Sequence, residues 1–196
     1  MSEREIAGNI FLFGNKSPRT AVKRDREPGD ETALLAKVLA GDAGAFEELY
    51  KVFFPMVHGI ILARVRHDEV EDIAQEVFIS AYRNLAGLRD SKAIGPWLAK
   101  IARNQVVEFY RRARPTEELT DHFSRADSPS AEANEVLAAI HTLPIAYAET
   151  LVLRLVEGMT GPEIAERTGL TADSVRVNLH RGMKLLREKL GIEEKK

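Results

Sequence analysis

The chain has 196 residues, 44% of them hydrophobic and 30% charged, with no cysteine and a formal net charge of −2. That composition suits a globular protein of one ordinary domain or two small ones, and it excludes disulfide staples and thiolate metal sites. No apolar run approaches the ~20 residues that cross a bilayer, and the short apolar stretch near the N-terminus follows two glutamates and is too brief for a signal peptide.

Residues 1–30 carry Gly8, Gly14, Pro18, Pro28 and Gly29 and show no helical periodicity. They read as a disordered arm, whose basic run from Lys16 to Arg26 is either a solvated tail or a contact for DNA or a regulator. From residue 31 the pattern turns helical. Phe46, Leu49, Tyr50, Phe53, Val57 and Ile60 recur at i, i+3, i+4 and i+7, and Val70, Ile73, Ala74, Val77, Phe78, Ala81, Tyr82 and Leu85 do so more regularly. A loop from Ala86 to Gly95 interrupts. Pro96 then stands where a helix can begin without its N–H, and Pro115 stops that helix at about Arg114.

Residues 115–130 are polar, contain two prolines and have no periodicity, so they read as an interdomain linker. Helical patterning resumes at Ala131 and runs to Leu190, leaving 191–196 as a tail. No strand pattern or repeat stands out. The expected fold is all-α: two small helical domains, 31–114 and 131–190, joined by a flexible linker.

Charge is unevenly distributed. Asp68–Glu76 holds five acids and no base, Lys92–Arg114 six Lys/Arg against one acid, and Thr171–Leu190 five against two. The pI near 6.2 argues against a free-standing DNA binder. An acidic block between basic ones instead suggests one surface for DNA and another for a basic protein partner.

Within the C-terminal unit, Thr160-Gly-Pro-Glu163 has the form of a capping box, Gly169 supplies a turn, and Thr171 caps the next helix. That helix has Val175, Leu179, Met183, Leu186 and Leu190 on its apolar side. The spacing is that of a helix-turn-helix, whose second helix enters the major groove. Asp173, Ser174, Arg176, Val177, Asn178 and Arg181 project away from the core. Arg176 and Asn178 can bond base edges, Val177 can meet a thymine methyl, and Arg181 and Lys184 suit phosphates. A plain helical hairpin with a solvated basic face is the alternative.

In the N-terminal unit, Asp72, Gln75 and Glu76 share one exposed helix face, suited to arginines on a partner helix, although ordinary solvated acids look the same. Lys100, Arg103, Asn104, Val107, Glu108 and Arg111 recur opposite Leu98, Ile101 and Ala102, giving a basic face that ends in Arg111-Arg112-Ala-Arg114. It reads as a DNA-backbone surface, with Glu108 unexplained. Trp97 is either core or a stacking platform, and the loop from Leu88 to Gly95 is able to hold an unstacked base.

These motifs resemble a known family. Asp68 to Phe78 (DEVEDIAQEVF) resembles region 2.2 of bacterial sigma factors. Trp97 to Asn104 (WLAKIARN) with Phe109-Tyr-Arg-Arg112 resembles regions 2.3–2.4. Leu143-Pro144, Leu153-Arg154, Glu157-Gly158, Glu163-Ile-Ala165, Val175-Arg176 and Leu179-His-Arg181 resemble region 4. The resemblance covers about residues 31–190, in family order and without a middle domain, which is the extracytoplasmic-function (ECF) arrangement. It implies a non-enzymatic, cytoplasmic subunit of RNA polymerase that reads −10 and −35 promoter elements and assists melting. Asp72, Gln75 and Glu76 would dock on the β′ clamp helices, with a further contact to the β flap. Leu88, Lys100, Arg103, Asn104, Arg111 and Arg112 would serve the −10 element. Thr171, Ser174, Arg176, Val177, Asn178 and Arg181 would serve the −35 element. An anti-sigma factor is an implied partner; no cofactor, metal or small-molecule substrate is expected.

The sequence departs from the residues usual in the family it resembles at Leu88 (often aromatic), Val177 and Asn178 (often Ser, then Arg or Lys), Gly161 (often Tyr or another larger residue) and Ala148 (often Arg), so the resemblance does not carry over a promoter sequence. A stand-alone helix-turn-helix regulator remains the rival reading. An enzyme built on His58, His67, Asp68 and Glu69 is disfavoured, because the i, i+9 spacing sets the two histidines on different helix faces.

Overall fold

A computed structural model describes residues 30–88, 90–113 and 131–192. The expected arm up to residue 29, the linker at 115–130 and tail residues 193–196 lie outside the described residues. Eight α-helices account for most of what is described: α1 Asp30–Leu39, α2 Ala43–Leu62, α3 His67–Asn84, α4 Ile94–Ala113, α5 Ala131–His141, α6 Ile145–Leu155, α7 Gly161–Thr168 and α8 Ala172–Lys189. Two single 3₁₀ turns, Leu85–Gly87 and Ser91–Ala93, bridge α3 and α4, and no strand occurs among the described residues.

The helices start and stop for local reasons. Asp42 caps α2, its carboxylate accepting from the Ala45 N–H at 3.1 Å. Asp68 and Glu69 in the first turn of α3 favour its positive N-terminal end. The helix expected to begin at Pro96 begins two residues earlier, at Ile94. Pro96 then sits in the first turn, where its absent N–H has no intrahelical acceptor to lose.

Helices α1 to α4 pack around Leu35, Leu49, Phe53, Met56, Ile60 and Leu98, all essentially inaccessible. Helix α3 turns Val70, Ile73, Ala74, Val77, Phe78 and Ala81 inward. Tyr82, expected on the same inward stripe, is 60% exposed. It meets Phe46 edge-on at 4.8 Å and leaves the rest of its ring outside, where the phenol stays hydrated. In the C-terminal group, α5 to α8 bury Ile140, Leu151, Leu153, Ile164, Val175 and Leu186.

The two groups are not held apart. Helix α2 packs on α6 and α4 packs on α7, and the buried side chains of both groups form one continuous core. Glycines allow the closest approaches. A Cβ on Gly59 would stand 2.8 Å from Leu153 Cδ2 and 2.9 Å from Glu157 Cγ, and one on Gly95 would stand 2.9 Å from the Arg167 carbonyl oxygen. Polar bonds stitch the seam. His58 Nδ1 lies 2.7 Å from Glu157 Oε1, His141 Nε2 lies 2.7 Å from the Leu62 carbonyl, and Arg167 donates to the Val52 carbonyl at 3.0 Å.

Candidate nucleic-acid and polymerase interfaces

Thr160 and Glu163 form a reciprocal capping box at the start of α7: the Glu163 carboxylate accepts from the Thr160 N–H at 2.6 Å, and the Thr160 hydroxyl accepts from the Glu163 N–H at 3.4 Å. Gly169 ends α7 at φ 76°, a left-handed conformation that glycine adopts without a Cβ penalty. Thr171 then caps α8, accepting from the Ser174 N–H at 3.1 Å. Val175, Met183 and Leu186 are buried on the inner side of α8. This is the geometry of a helix-turn-helix, with α8 as its second helix.

On the outer side of α8, Ser174, Arg176, Val177 and Arg181 are exposed and Asn178 is half-buried. Arg176 is paired with its surface neighbour Asp173 at 3.1 Å, a contact that a base edge or phosphate can displace. The Thr171 hydroxyl also donates to Ser174 Oγ at 2.8 Å, so these two hydroxyls serve the cap as well as facing outward.

Helix α3 presents Asp72, Gln75 and Glu76 together on its solvent side, all exposed. Ile79, one turn further along the same stripe, is 45% exposed. The sequence reading did not single it out, although an isoleucine outside the inward series Val70, Ile73, Val77 was the available signal.

Helix α4 carries the third set. Lys100, Asn104, Arg111 and Arg112 are exposed, and Val107 is 68% exposed among them. Arg103 behaves differently. It donates from Nη2 to Glu149 Oε1 at 2.6 Å and from Nε to Glu149 Oε2 at 3.3 Å, and a third of its side chain remains exposed. Leu88, in the loop before α4, packs half-buried against the core, as does Trp97. The indole thus behaves as a core element.

Glu108 now has a role. It accepts from Arg111 Nη2 at 2.6 Å and from Arg112 Nε at 3.1 Å. The Arg111 hydrogen bond, only partly opposed by burial and reinforced by the charge of Arg111 and by Arg112, holds its carboxyl below the usual carboxylate range. The same hydrogen bond pushes the Arg111 guanidinium up.

Among the described residues Glu149 is the one buried carboxylate, its side chain only 6% exposed. Burial pushes its carboxyl up. The Arg103 hydrogen bond, the charges of Arg64 and Arg103, and the Arg64 hydrogen bond outweigh that and hold it below its ordinary value. Sequence could not pair it, because Arg64 and Arg103 lie 85 and 46 residues away. No group of three or more His, Asp or Glu residues able to hold a metal ion occurs among the described residues, and His58 is instead directed to Glu157. No described helix is long and apolar enough to cross a membrane.

An acidic outward face, a basic helix face and a helix-turn-helix on one chain match a defined class. The Sigma-70 region 2 model matches residues 49–116, and the Sigma-70 region 4 model matches residues 133–186. Among characterised proteins, the chain is 31% identical over 175 residues to the ECF RNA polymerase sigma factor SigD of Mycobacterium tuberculosis, covering 81% of this chain and 82% of the relative. It is 28% identical over 182 residues to the ECF RNA polymerase sigma-E factor of Haemophilus influenzae, covering 82% and 95%. The fold is similar to that of CnrH, solved in complex with the cytosolic domain of CnrY, at TM-score 0.61 and 23% identity over 84% of this chain and 99% of that one. It is also similar to RpoE of Bartonella quintana, solved with the anti-sigma factor NepR, at TM-score 0.53 and 18% identity over 76% and 98%.

The chain belongs to the ECF RNA polymerase sigma factors. It therefore acts at transcription initiation, bringing core RNA polymerase to promoters through their −10 and −35 elements and assisting their melting.

Proposed function

We propose that three faces of this chain divide the work of a sigma factor. Asp72, Gln75 and Glu76 dock on the clamp helices of polymerase β′. Lys100, Arg103, Asn104, Arg111 and Arg112, with the loop at Leu88, hold the −10 element. Thr171, Ser174, Arg176, Val177, Asn178 and Arg181 read the −35 element. The observation that carries this reading is the exposure of Asp72, Gln75 and Glu76 together on one solvent-facing stripe of α3. The functional units are residues 31–114 and 131–190, with 115–130 as the linker and 1–30 as an arm.

The mechanism is capture rather than covalent chemistry, so the chain is not an enzyme. Unstacking a promoter base costs a few kcal/mol, which a fitting pocket and phosphate contacts offset. The acids explain how a chain of net charge −2 serves DNA. Repulsion between its acids and phosphate keeps it off random DNA, and a basic polymerase surface neutralises them on docking. It works in the cytoplasm, at the nucleoid. An anti-sigma factor is a fitting regulator, since the similar RpoE was solved with one.

The experiment is a paired charge reversal, Asp72→Lys with Glu76→Lys. Both positions are exposed, so the helical circular dichroism should be unchanged while co-purification with core polymerase and promoter-specific run-off transcription are lost. Retention of both activities would sink the docking assignment.

A further inference from the structure

Two adjacent valines of α4 have opposite surroundings. Val106 is 3% exposed and belongs to the core, whereas Val107 is 68% exposed, more than any other large hydrophobic side chain among the described residues. A β-branched residue gives up helix propensity relative to alanine, and at this exposure burial does not offset the loss.

The long side chains able to cover Val107 are drawn elsewhere. Its neighbours on the helix surface stand three and four residues away. Arg103 donates to Glu149, the Tyr110 hydroxyl donates to the Arg64 carbonyl, and Arg111 donates to Glu108. The remaining neighbour, Asn104, is short and exposed. The valine methyl groups are therefore left bare in the middle of a basic face.

Lys100, Asn104, Val107 and Arg111 follow one another along a single stripe of α4, and all four are exposed. A cation stands at each end, and an amide and an isopropyl group fill the middle. The cations suit phosphates. An asparagine amide matches the N6 and N7 edge of adenine, and an apolar group matches the C5 methyl of thymine, both of which face the major groove. Asn104 and Val107 are about 4.5 Å apart along the helix axis. That is close to the step of about 3.4 Å between base pairs, so the two side chains can address neighbouring pairs of one duplex.

We infer that Val107 is a specificity-determining residue, which selects a thymine by its C5 methyl at the duplex base pair next to the one that Asn104 meets. The inference rests on the reading of α4 as the −10 surface, and adds to it a side chain and the base it prefers. The contact acts on duplex DNA, before the strands part, because the methyl is then presented in a groove with phosphates on both sides for Lys100 and Arg111.

The test replaces thymine by uracil, which removes the methyl and keeps the hydrogen-bonding atoms of the base. Holoenzyme assembled from core polymerase and the full chain is bound to promoters recovered from a genomic run-off pool, with each −10-region thymine of either strand exchanged in turn. For the parent, one exchange at a duplex position should weaken binding about fourfold, the effect of one buried methyl group. Val107→Ala should bind the thymine and uracil promoters equally at that position, with an unchanged helical circular dichroism because the site is exposed. Val107→Ile, which keeps a branched apolar surface, should retain the preference. If the parent does not distinguish thymine from uracil there, or if Val107→Ala distinguishes them as the parent does, the assignment is overturned. Lys100→Ala tells this failure from that of the underlying reading. Unchanged affinity and salt dependence in Lys100→Ala would mean that α4 is not a DNA surface, and both readings fall. A salt slope reduced by about 1, with thymine and uracil still bound alike by the parent, would leave the −10 surface standing and remove Val107 from it.

Discussion

Arg103 donates to Glu149 across the seam between two helical groups, Nη2 to Oε1 at 2.6 Å, although 46 residues separate them in the chain. Arg64 engages the other carboxylate oxygen. One buried anion thus neutralises two arginines, one of them nearly buried and one on the face assigned to promoter DNA.

That relationship sets a pH dependence. The carboxyl of Glu149 is held below its ordinary value by the two arginines, against the opposing effect of burial. A depressed carboxyl contributes its stabilisation fully above the pKa of the open state and loses it as pH falls through the lower, closed-state value. The seam should therefore be most stable at neutral pH and weakened at pH values below the usual carboxylate range. Distance measurements between labels on α2 and α6 across an acid titration would check this; a separation that changes above that range would contradict it.

Removing the anion altogether should be costly. In Glu149→Ala, Arg64 loses its carboxylate and keeps, among the described residues, the Ile60 carbonyl, which it meets at 2.7 Å. Breaking one side of a buried pair costs about 3 kcal/mol or more. Urea unfolding should show that loss, and Arg64→Met added to Glu149→Ala should recover part of it, because the nearly buried charge is then removed and Arg103, a third exposed, can reach water.

The helix-turn-helix should be sensitive at its caps. Thr160→Ala removes one half of the α7 capping box and Thr171→Ala removes the α8 cap. Each should lower stability by about 1 kcal/mol in denaturant melts. Gly169→Ala carries the left-handed φ of 76° and a Cβ 3.2 Å from Pro96, and should destabilise by at least as much.

On α8, the outward side chains should divide by role. Arg176→Ala should cost about 1–3 kcal/mol at one promoter position and relax preference there, whereas Arg181→Ala should weaken all promoters alike and reduce the salt slope by about 1. Footprints of the polymerase complex on a −35 substitution series, taken at two or more salt concentrations, distinguish these outcomes.

Glu108 should act as a brake on the α4 face. It occupies Arg111 and Arg112 in surface pairs. Glu108→Gln should leave the fold unchanged, tighten binding of single-stranded DNA and steepen its dependence on salt, as two cations become free for phosphates. Equal salt slopes for variant and parent would rule this role out.

The sequence by itself determined whatever acts within a turn or two of one helix. The capping box at Thr160 and Glu163, the left-handed Gly169, the Thr171 cap and the inward series Val70, Ile73, Val77 are relations among residues three or four apart, and helical geometry fixes those without reference to the rest of the chain. For the same reason Asp72, Gln75 and Glu76 were legible as one face. Tyr82 fitted the inward period yet stands mostly exposed, because period alone cannot say how wide the neighbouring helix is. Tertiary structure alone decided the seam. Glu149 met Arg64 and Arg103, and Gly59 met Leu153, through the mutual placement of separate helices, which depends on the packing of the whole core and leaves no periodic trace in the chain.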